Sequence, residues 1–286
     1  MKLFKRAADL QEHISRAKQS GLKVAFVPTM GALHDGHLSL IREAAKDNAL
    51  VVVSIFVNPT QFNDPADFEK YPVTIERDIT LLDSVNTGIL FLPAVPEIYP
   101  EPAGAEKKQY DLGYLETVLE GTYRPGHFQG VCQVVHRLLE IVKPDDLYMG
   151  QKDYQQCMVI RRLLQLTGME SFVHLHIVPT RREENGLAMS SRNMRLSAAA
   201  REKASLIYRA LTGIKEQLKP GNVTDIADRA RQMLAENGFA PDYVAIAADG
   251  TLELVDHWDG QQPLVALAAA YTEGVRLIDN LPLTQA

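Results

Sequence analysis

The sequence predicts an α/β protein, a parallel sheet with helices on both faces followed by a smaller α+β C-terminal domain. Three observations predict it. Short apolar runs alternate with amphipathic helical runs through residues 5–178. The run Leu50-Val51-Val52-Val53-Ser54-Ile55-Phe56-Val57 is almost continuously apolar and β-branched, as in a strand buried on both faces of a parallel sheet. Beyond residue 198 the order changes to Ala-rich helical patterns and then short strands. The boundary falls between a first domain, 1–186, and a second, 187–286.

Each element follows from local pattern. Residues 5–20 place Leu10, Ile14 and Ala17 at helical spacing, and Gly21 stops that helix. Lys23 to Val27 reads as the first core strand, Leu38 to Asn48 as a helix and Leu50 to Val57 as the next strand, a right-handed βαβ unit. Tyr71 to Asp83 reads as helix and Gly88 to Leu92 as strand; 93–109 is a Pro- and Gly-rich loop. Leu115 to Glu120 is expected to be helical. Gly121 to Phe128, with two glycines and a proline, is expected to be either an active-site lid or an ordinary flexible connection. Val131 to Val142 is a helix ended by Pro144, Asp146 to Met149 a strand, Tyr154 to Leu166 a helix and Phe172 to Val178 an alternating strand. His174 and His176 fall on one face of that strand and need no metal to explain them. Residues 198–218 and 223–237 are helical, and Tyr243–Ala248, Leu264–Ala270 and Val275–Ile278 are strands.

The chemistry concentrates at Pro28-Thr29-Met30-Gly31-Ala32-Leu33-His34-Asp35-Gly36-His37, between a strand and a helix. Such a turn offers unpaired backbone N–H groups at a helix start, where an anion can sit. His34 and His37 are three residues apart and share one side of the first turn. A nucleotide polyphosphate met by two imidazoles is one reading; a helix cap and a zinc site are the others, although the spacing is not that of a zinc protease. A second strand–glycine–turn–helix arrangement occurs at Gly150-Gln151-Lys152-Asp153, with Lys152 as a mobile cation. Asn58 and Gln61 follow the second core strand at its carboxyl end, where α/β sheets bind ligands; Asn58 also suits a turn. Met189-Ser190-Ser191-Arg192-Asn193 combines two hydroxyls and a guanidinium, a phosphate grip or a helix entry.

Composition narrows the classes. The chain has 286 residues, 46% hydrophobic and 23% charged, with a formal net charge of −6. That charge argues against nucleic-acid binding through bulk positive charge. Only Cys132 and Cys157 occur, both in helical segments, so buried thiols are expected rather than a disulfide. Neither a signal peptide nor a membrane span is evident, and the expected location is cytoplasmic.

The Pro28–His37 stretch resembles the HIGH-type signature of the nucleotidyltransferase superfamily and is similar to the long form in the pantothenate synthetase (pantoate–β-alanine ligase) family. Asn58-Pro59-Thr60-Gln61-Phe62, Arg124-Pro125-Gly126-His127-Phe128, Gly150-Gln151-Lys152-Asp153-Tyr154-Gln155-Gln156 and Gly186-Leu187-Ala188-Met189-Ser190-Ser191-Arg192-Asn193 match that family in order, over nearly the whole chain. The resemblance implies a Rossmann-like N-terminal domain, a lid-like C-terminal domain, a homodimer, and ATP-dependent, Mg²⁺-assisted condensation of pantoate with β-alanine through a pantoyl adenylate. It implies that Met30, Gly31, Ala32, Leu33, His34, Asp35, Gly36, His37, Gly150, Gln151, Lys152 and Asp153 line the ATP site. Met189, Ser190, Ser191 and Arg192 would hold phosphates, Arg181 would contact adenine through its backbone, and Gln61 and Gln156 would hold pantoate. Gln61 would also face β-alanine, and Asp78 would be a Mg²⁺ ligand. Charge stabilisation by His34, His37, Lys152, Ser190, Ser191 and Arg192 would carry the chemistry. Val73, Gln151 and Met194-Arg195 depart from residues frequent in that family. Two rival classes are a nucleotidyltransferase acting on another acid or a phosphate, and a tRNA-binding synthetase relative; net charge and the single Trp258 argue against the latter.

Overall fold

In the computed structural model, residues 1–47, 49–61, 68–100 and 108–284 are described. Asn48, Phe62 and the 101–107 part of the expected loop lie outside the described residues. The chain divides into two compact units: Met1–Gly150 with Val159–Val178, and Gln151–Met158 with Pro179–Ala286.

The first unit is built on a six-stranded sheet of order β1-β4-β3-β2-β5-β6, all parallel. The strands are β1 Lys2–Phe4, β2 Val24–Thr29, β3 Leu50–Ile55, β4 Ile89–Phe91, β5 Asp146–Gly150 and β6 His174–Val178. β2 and β3 are buried along nearly their whole length, as their β-branched composition predicts for central parallel strands. On one face Leu38, Ile41 and Ala44, from the Asp35–Asp47 helix, and Leu82 pack with Val27, Val53 and Leu90 of the sheet. The Ala7–Gln19 helix contacts the His127–Val142 helix, which also packs on β2. Strand order runs outward from β2 to β3 and β4, then reverses to β5 and β6. The switch point therefore lies between β2 and β5, and their carboxyl ends are where an open α/β sheet takes a ligand.

The second unit contains an antiparallel sheet of β8 Ala240–Ala248, β10 Leu264–Thr272 and β11 Val275–Pro282, in the order β11-β10-β8. The helices Leu206–Gln217 and Thr224–Glu236 cover it, burying Ile207, Leu211, Ile214 and Leu234 against Leu264, Ala266 and Ala268. A two-residue pair, β7 Gly221–Asn222 with β9 His257–Trp258, lies apart from it.

Three local expectations are corrected. The helix expected from Tyr71 begins at Ile75, because Pro72 restrains Tyr71 and Thr74 sits outside helical geometry. The expected helix from Leu115 to Glu120 is instead a 3₁₀ turn at Gly113–Glu116 and a separate helical turn at Glu120–Tyr123. Leu119, with φ +47°, divides them. The loop expected to follow is shorter: Gly121, His127 and Phe128 are buried while Thr122, Tyr123, Pro125 and Gly126 are exposed, and the next helix begins at His127, not Val131. A Cβ on Gly121 would lie 2.1 Å from the Glu116 carbonyl oxygen, so this glycine permits a close approach between turns.

Candidate active site

The Met30–His37 turn leaves the carboxyl end of β2. Gly31 and Ala32 both have positive φ, +80° and +49°. That bend aims the N–H groups of Ala32 and Leu33 at a single side chain, Asp78. Ala32 donates to Asp78 Oδ2 at 2.9 Å and Leu33 donates to Oδ1 at 2.8 Å, while Thr74 Oγ1 donates to Oδ1 at 3.0 Å. A Cβ on Gly31 would approach Asp78 Oδ2 to 3.1 Å. Gly31 donates its N–H to Thr29 Oγ1 at 3.3 Å. The N–H groups of Ala32 and Leu33, in the turn ahead of the helix, are thus taken by the protein's own carboxylate. Asp78, fully buried, has both oxygens engaged in holding the loop.

The two histidines sit at the helix start that follows. His34 precedes the helix and its carbonyl accepts from the N–H groups of His37 and Leu38. His34 donates its own N–H to His37 Nδ1 at 3.3 Å, and the two rings lie 4.1 Å apart at 38°. Because a backbone N–H can only donate, Nδ1 of His37 is the acceptor and the neutral ring carries its proton on Nε2. One imidazole thus caps the turn with one nitrogen and keeps a donor on the other. Met30, His34, Asp35, Gly36 and His37 are half-buried, and Asp35 pairs with Arg42 at 2.9 Å.

Asn58 and Gln61 follow β3 in a 3₁₀ turn, Pro59–Gln61. Asn58 is buried and fully engaged. Its Nδ2 donates to the Gly130 carbonyl at 3.1 Å, and its Oδ1 accepts from Thr60 N, Thr60 Oγ1 and Tyr99 Oη. Those bonds match its turn reading. Gln61 is half-buried, and its carbonyl accepts from His127 Nδ1 at 2.9 Å. Neither His127 nor Gly130 announces this supporting role in the sequence, where they look like parts of a loop and a helix. A Cβ on Gly130 would lie 2.3 Å from the Thr60 carbonyl oxygen, a contact only a folded structure reveals.

In the second unit, Gln151–Asp153 form a 3₁₀ turn ahead of the Tyr154–Thr167 helix. Lys152 is half-buried with its Nζ 3.7 Å from Asp153 Oδ1, and Gln156 is half-buried on the helix. Arg181 is exposed, and its carbonyl accepts from the N–H of Met189 at 3.0 Å. Ser190 caps the 3₁₀ segment Ser191–Arg195 by accepting the N–H of Arg192 at 3.2 Å, so the helix-entry reading holds there. Ser191 is buried, and Met189, Ser190 and Arg192 are half-buried. Tyr154 Oη donates to Asp249 Oδ1.

Other reactive groups are engaged elsewhere. His176 pairs with Asp146 at 2.6 Å and stacks on Tyr148, as a strand-face residue. Both cysteines are buried and unbonded to each other, and burial pushes the Cys132 thiol up to about 12, which makes it a poor nucleophile. Among the described residues no group of three or more His, Cys, Asp or Glu is arranged to hold a metal ion, and no helix is long and apolar enough to cross a membrane.

The six-stranded parallel sheet with its reversal of strand order between β2 and β5 places the protein in the Rossmann-like α/β class. The family model for pantoate-beta-alanine ligase matches residues 2–282. The chain belongs to the pantoate-beta-alanine ligase family. It is 45% identical to a pantothenate synthetase of Cytophaga hutchinsonii over 275 residues, covering 95% of each chain. It is similar to the crystal structure of pantothenate synthetase from Thermus thermophilus, with TM-score 0.89, 40% identity and all of both chains covered. It is also similar to a pantoate-beta-alanine ligase from Francisella tularensis complexed with beta-gamma ATP and beta-alanine, with TM-score 0.81, 34% identity and coverage of 100% and 99%.

Proposed function

We propose that this protein condenses (R)-pantoate with β-alanine, converting ATP to AMP and diphosphate through a pantoyl adenylate. The observation that carries the reading is the family match over residues 2–282. A carboxylate is a poor acylating group because its leaving group would be oxide. Attack of a pantoate oxygen on the α-phosphorus forms the O–P bond, breaks the bond to diphosphate and leaves a mixed anhydride. The β-alanine amine then attacks the acyl carbon, AMP leaves and the amine loses a proton.

Neither step needs a protein nucleophile, so catalysis falls to positioning and charge stabilisation. In this reading His37 Nε2–H and His34 meet phosphoryl oxygens. Lys152, Ser190, Ser191 and Arg192 hold the developing charge, and Gly150 to Asp153, Arg181 and Met189 complete the nucleotide contacts. Gln61 and Gln156 bind pantoate through neutral amides, which hydrogen-bond hydroxyl and carboxylate without recruiting stray anions. Asn58 and Asp78 serve instead as supports, for the Gln61 turn and the Ala32–Leu33 turn, on the hydrogen bonds described above.

Mg²⁺ belongs to this proposal as the companion of ATP. Asp78, buried and bonded through both oxygens to the Ala32–Leu33 turn, is read here as the support of that turn rather than as a Mg²⁺ ligand. A Rossmann-like domain over 1–186, a lid role for 187–286, a homodimer and a cytoplasmic location complete the proposal, with no nucleic-acid or membrane partner. The test is product analysis with purified protein: pantothenate and AMP in equal amounts from pantoate, β-alanine and ATP. ADP with phosphate as products would refute it.

A further inference from the structure

In the second half of β11, Asp279 and Asn280 are polar residues only 5% and 2% exposed. Buried polar side chains in a strand need partners. Asn280 Nδ2 donates to the carbonyl oxygens of Gln151 at 2.8 Å and Lys152 at 2.9 Å, and its Oδ1 accepts from Gln151 Nε2 at 3.1 Å. Both amide donors and the amide oxygen are therefore spent on one three-residue turn, the one carrying Lys152.

Asp279 grips a different segment. Its carboxylate takes a two-pronged ion pair from Arg182, at 2.6 and 3.0 Å, and also accepts the N–H of Asn280 at 2.8 Å. Arg182 further donates to the carbonyls of Gly186 at 3.1 Å and Asn280 at 3.3 Å, and lies 3.8 Å over the Tyr208 ring. Arg182 also bridges Ala188, next to Met189 and Ser190. Two adjacent residues thus hold both the Lys152 turn and the segment leading to Ser190, Ser191 and Arg192. A planar guanidinium in a two-pronged pair and an amide with every group engaged leave little rotational freedom on either side.

We propose that Asn280 and Asp279 are positioning residues for adenylate formation, fixing the Lys152 turn and the Ser190–Arg192 segment on one rigid strand. The inference rests on the phosphate role of Lys152 given above. Asn280 touches no reacting atom; it acts through the Lys152 backbone.

The test is a double-mutant cycle read by single-turnover adenylate formation from ATP and pantoate. Lys152→Ala alone is expected to slow the step by roughly 10²–10³. Asn280→Ala is expected to slow it by about tenfold or more, with the pantoate and ATP KM changed by less than about threefold. In the Lys152→Ala background, Asn280→Ala is expected to cost less than about twofold, because residues acting as a unit are not additive. Gln151→Met, at a half-buried position, removes one of the three bonds and gives a smaller loss with the same dependence on Lys152; it supplies the cycle should Asn280→Ala fail to fold. The same fold-loss with and without Lys152, or no loss for a folded variant, overturns the inference while leaving the Lys152 role intact. A parent rate for Lys152→Ala refutes that role itself, and the inference with it.

Discussion

His37 accepts the backbone N–H of His34 on Nδ1 at 3.3 Å, with the two rings 4.1 Å apart. The two nitrogens of one imidazole can therefore be tested separately. Asn reproduces the reach of Nδ1, and Gln that of Nε2. His37→Asn is expected to retain the cap and stability but lose about 10²–10³ in adenylation rate. His37→Gln is expected to lose about 1 kcal/mol of stability, as for a lost cap, yet keep the greater activity. Thermal unfolding and single-turnover rates on both variants check this; the reverse ranking of activities would make capping the main role.

Asp78 gives a second prediction. Asp78→Asn replaces an acceptor for two N–H groups with an amide that can accept at only one oxygen and turns an NH₂ toward the other donor. The expected loss is about 1–3 kcal/mol of stability, with reduced adenylation. Raising Mg²⁺ should not restore the rate. Recovery at high Mg²⁺ would return Asp78 to the metal.

Gly130 sits beneath the Gln61 turn, where a Cβ would lie 2.3 Å from the Thr60 carbonyl oxygen and 3.1 Å from Gln61 Cα. Gly130→Ala must push that turn outward, at a cost of about 1–3 kcal/mol. The pantoate KM is expected to rise on the order of tenfold, equivalent to ~1.4 kcal/mol, with ATP affinity nearly unchanged. Steady-state kinetics with each substrate varied in turn decide it; equal changes for both substrates would remove Gln61 from the acid site.

How much of this was legible in the sequence depends on the range of the interaction. β2, β3 and the helices between strands declare themselves through local periodicity and β-branched runs, and five motif segments carry the family resemblance. β1 escaped because Lys2–Phe4 is a three-residue strand whose parallel pairing with Ile89–Phe91 is long-range. The sequence marks Asp78 only through the family resemblance, as a metal ligand, since nothing local says that its carboxylate meets N–H groups 45 and 46 positions away. Asn280 lies 128 residues from Lys152 and inside a strand, where neither helix nor turn chemistry marks it. The glycines of 121–126 read as mobility, whereas at Gly121 the absent side chain serves packing.

A pH prediction follows from His136. Its Nδ1 lies 2.6 Å from Tyr110 Oη, and burial holds its pKa below the ordinary value of 6.5. The unfolded chain then binds the proton more readily than the folded one, so this contribution to stability is present above about pH 6.5 and is lost as pH falls toward the depressed folded value. The melting temperature should fall from pH 7.5 to 5.5 more steeply in the parent than in His136→Gln. Parallel slopes would assign the acid sensitivity to other groups.

In the proposed reaction the acid is activated on ATP before the amine is used. The most direct measurement is exchange of labelled diphosphate into ATP, with purified protein, pantoate and Mg²⁺ but no β-alanine. Exchange that depends on pantoate and proceeds without the amine is the result predicted. Exchange that appears only when β-alanine is added, or appears with another acid and not with pantoate, would contradict it.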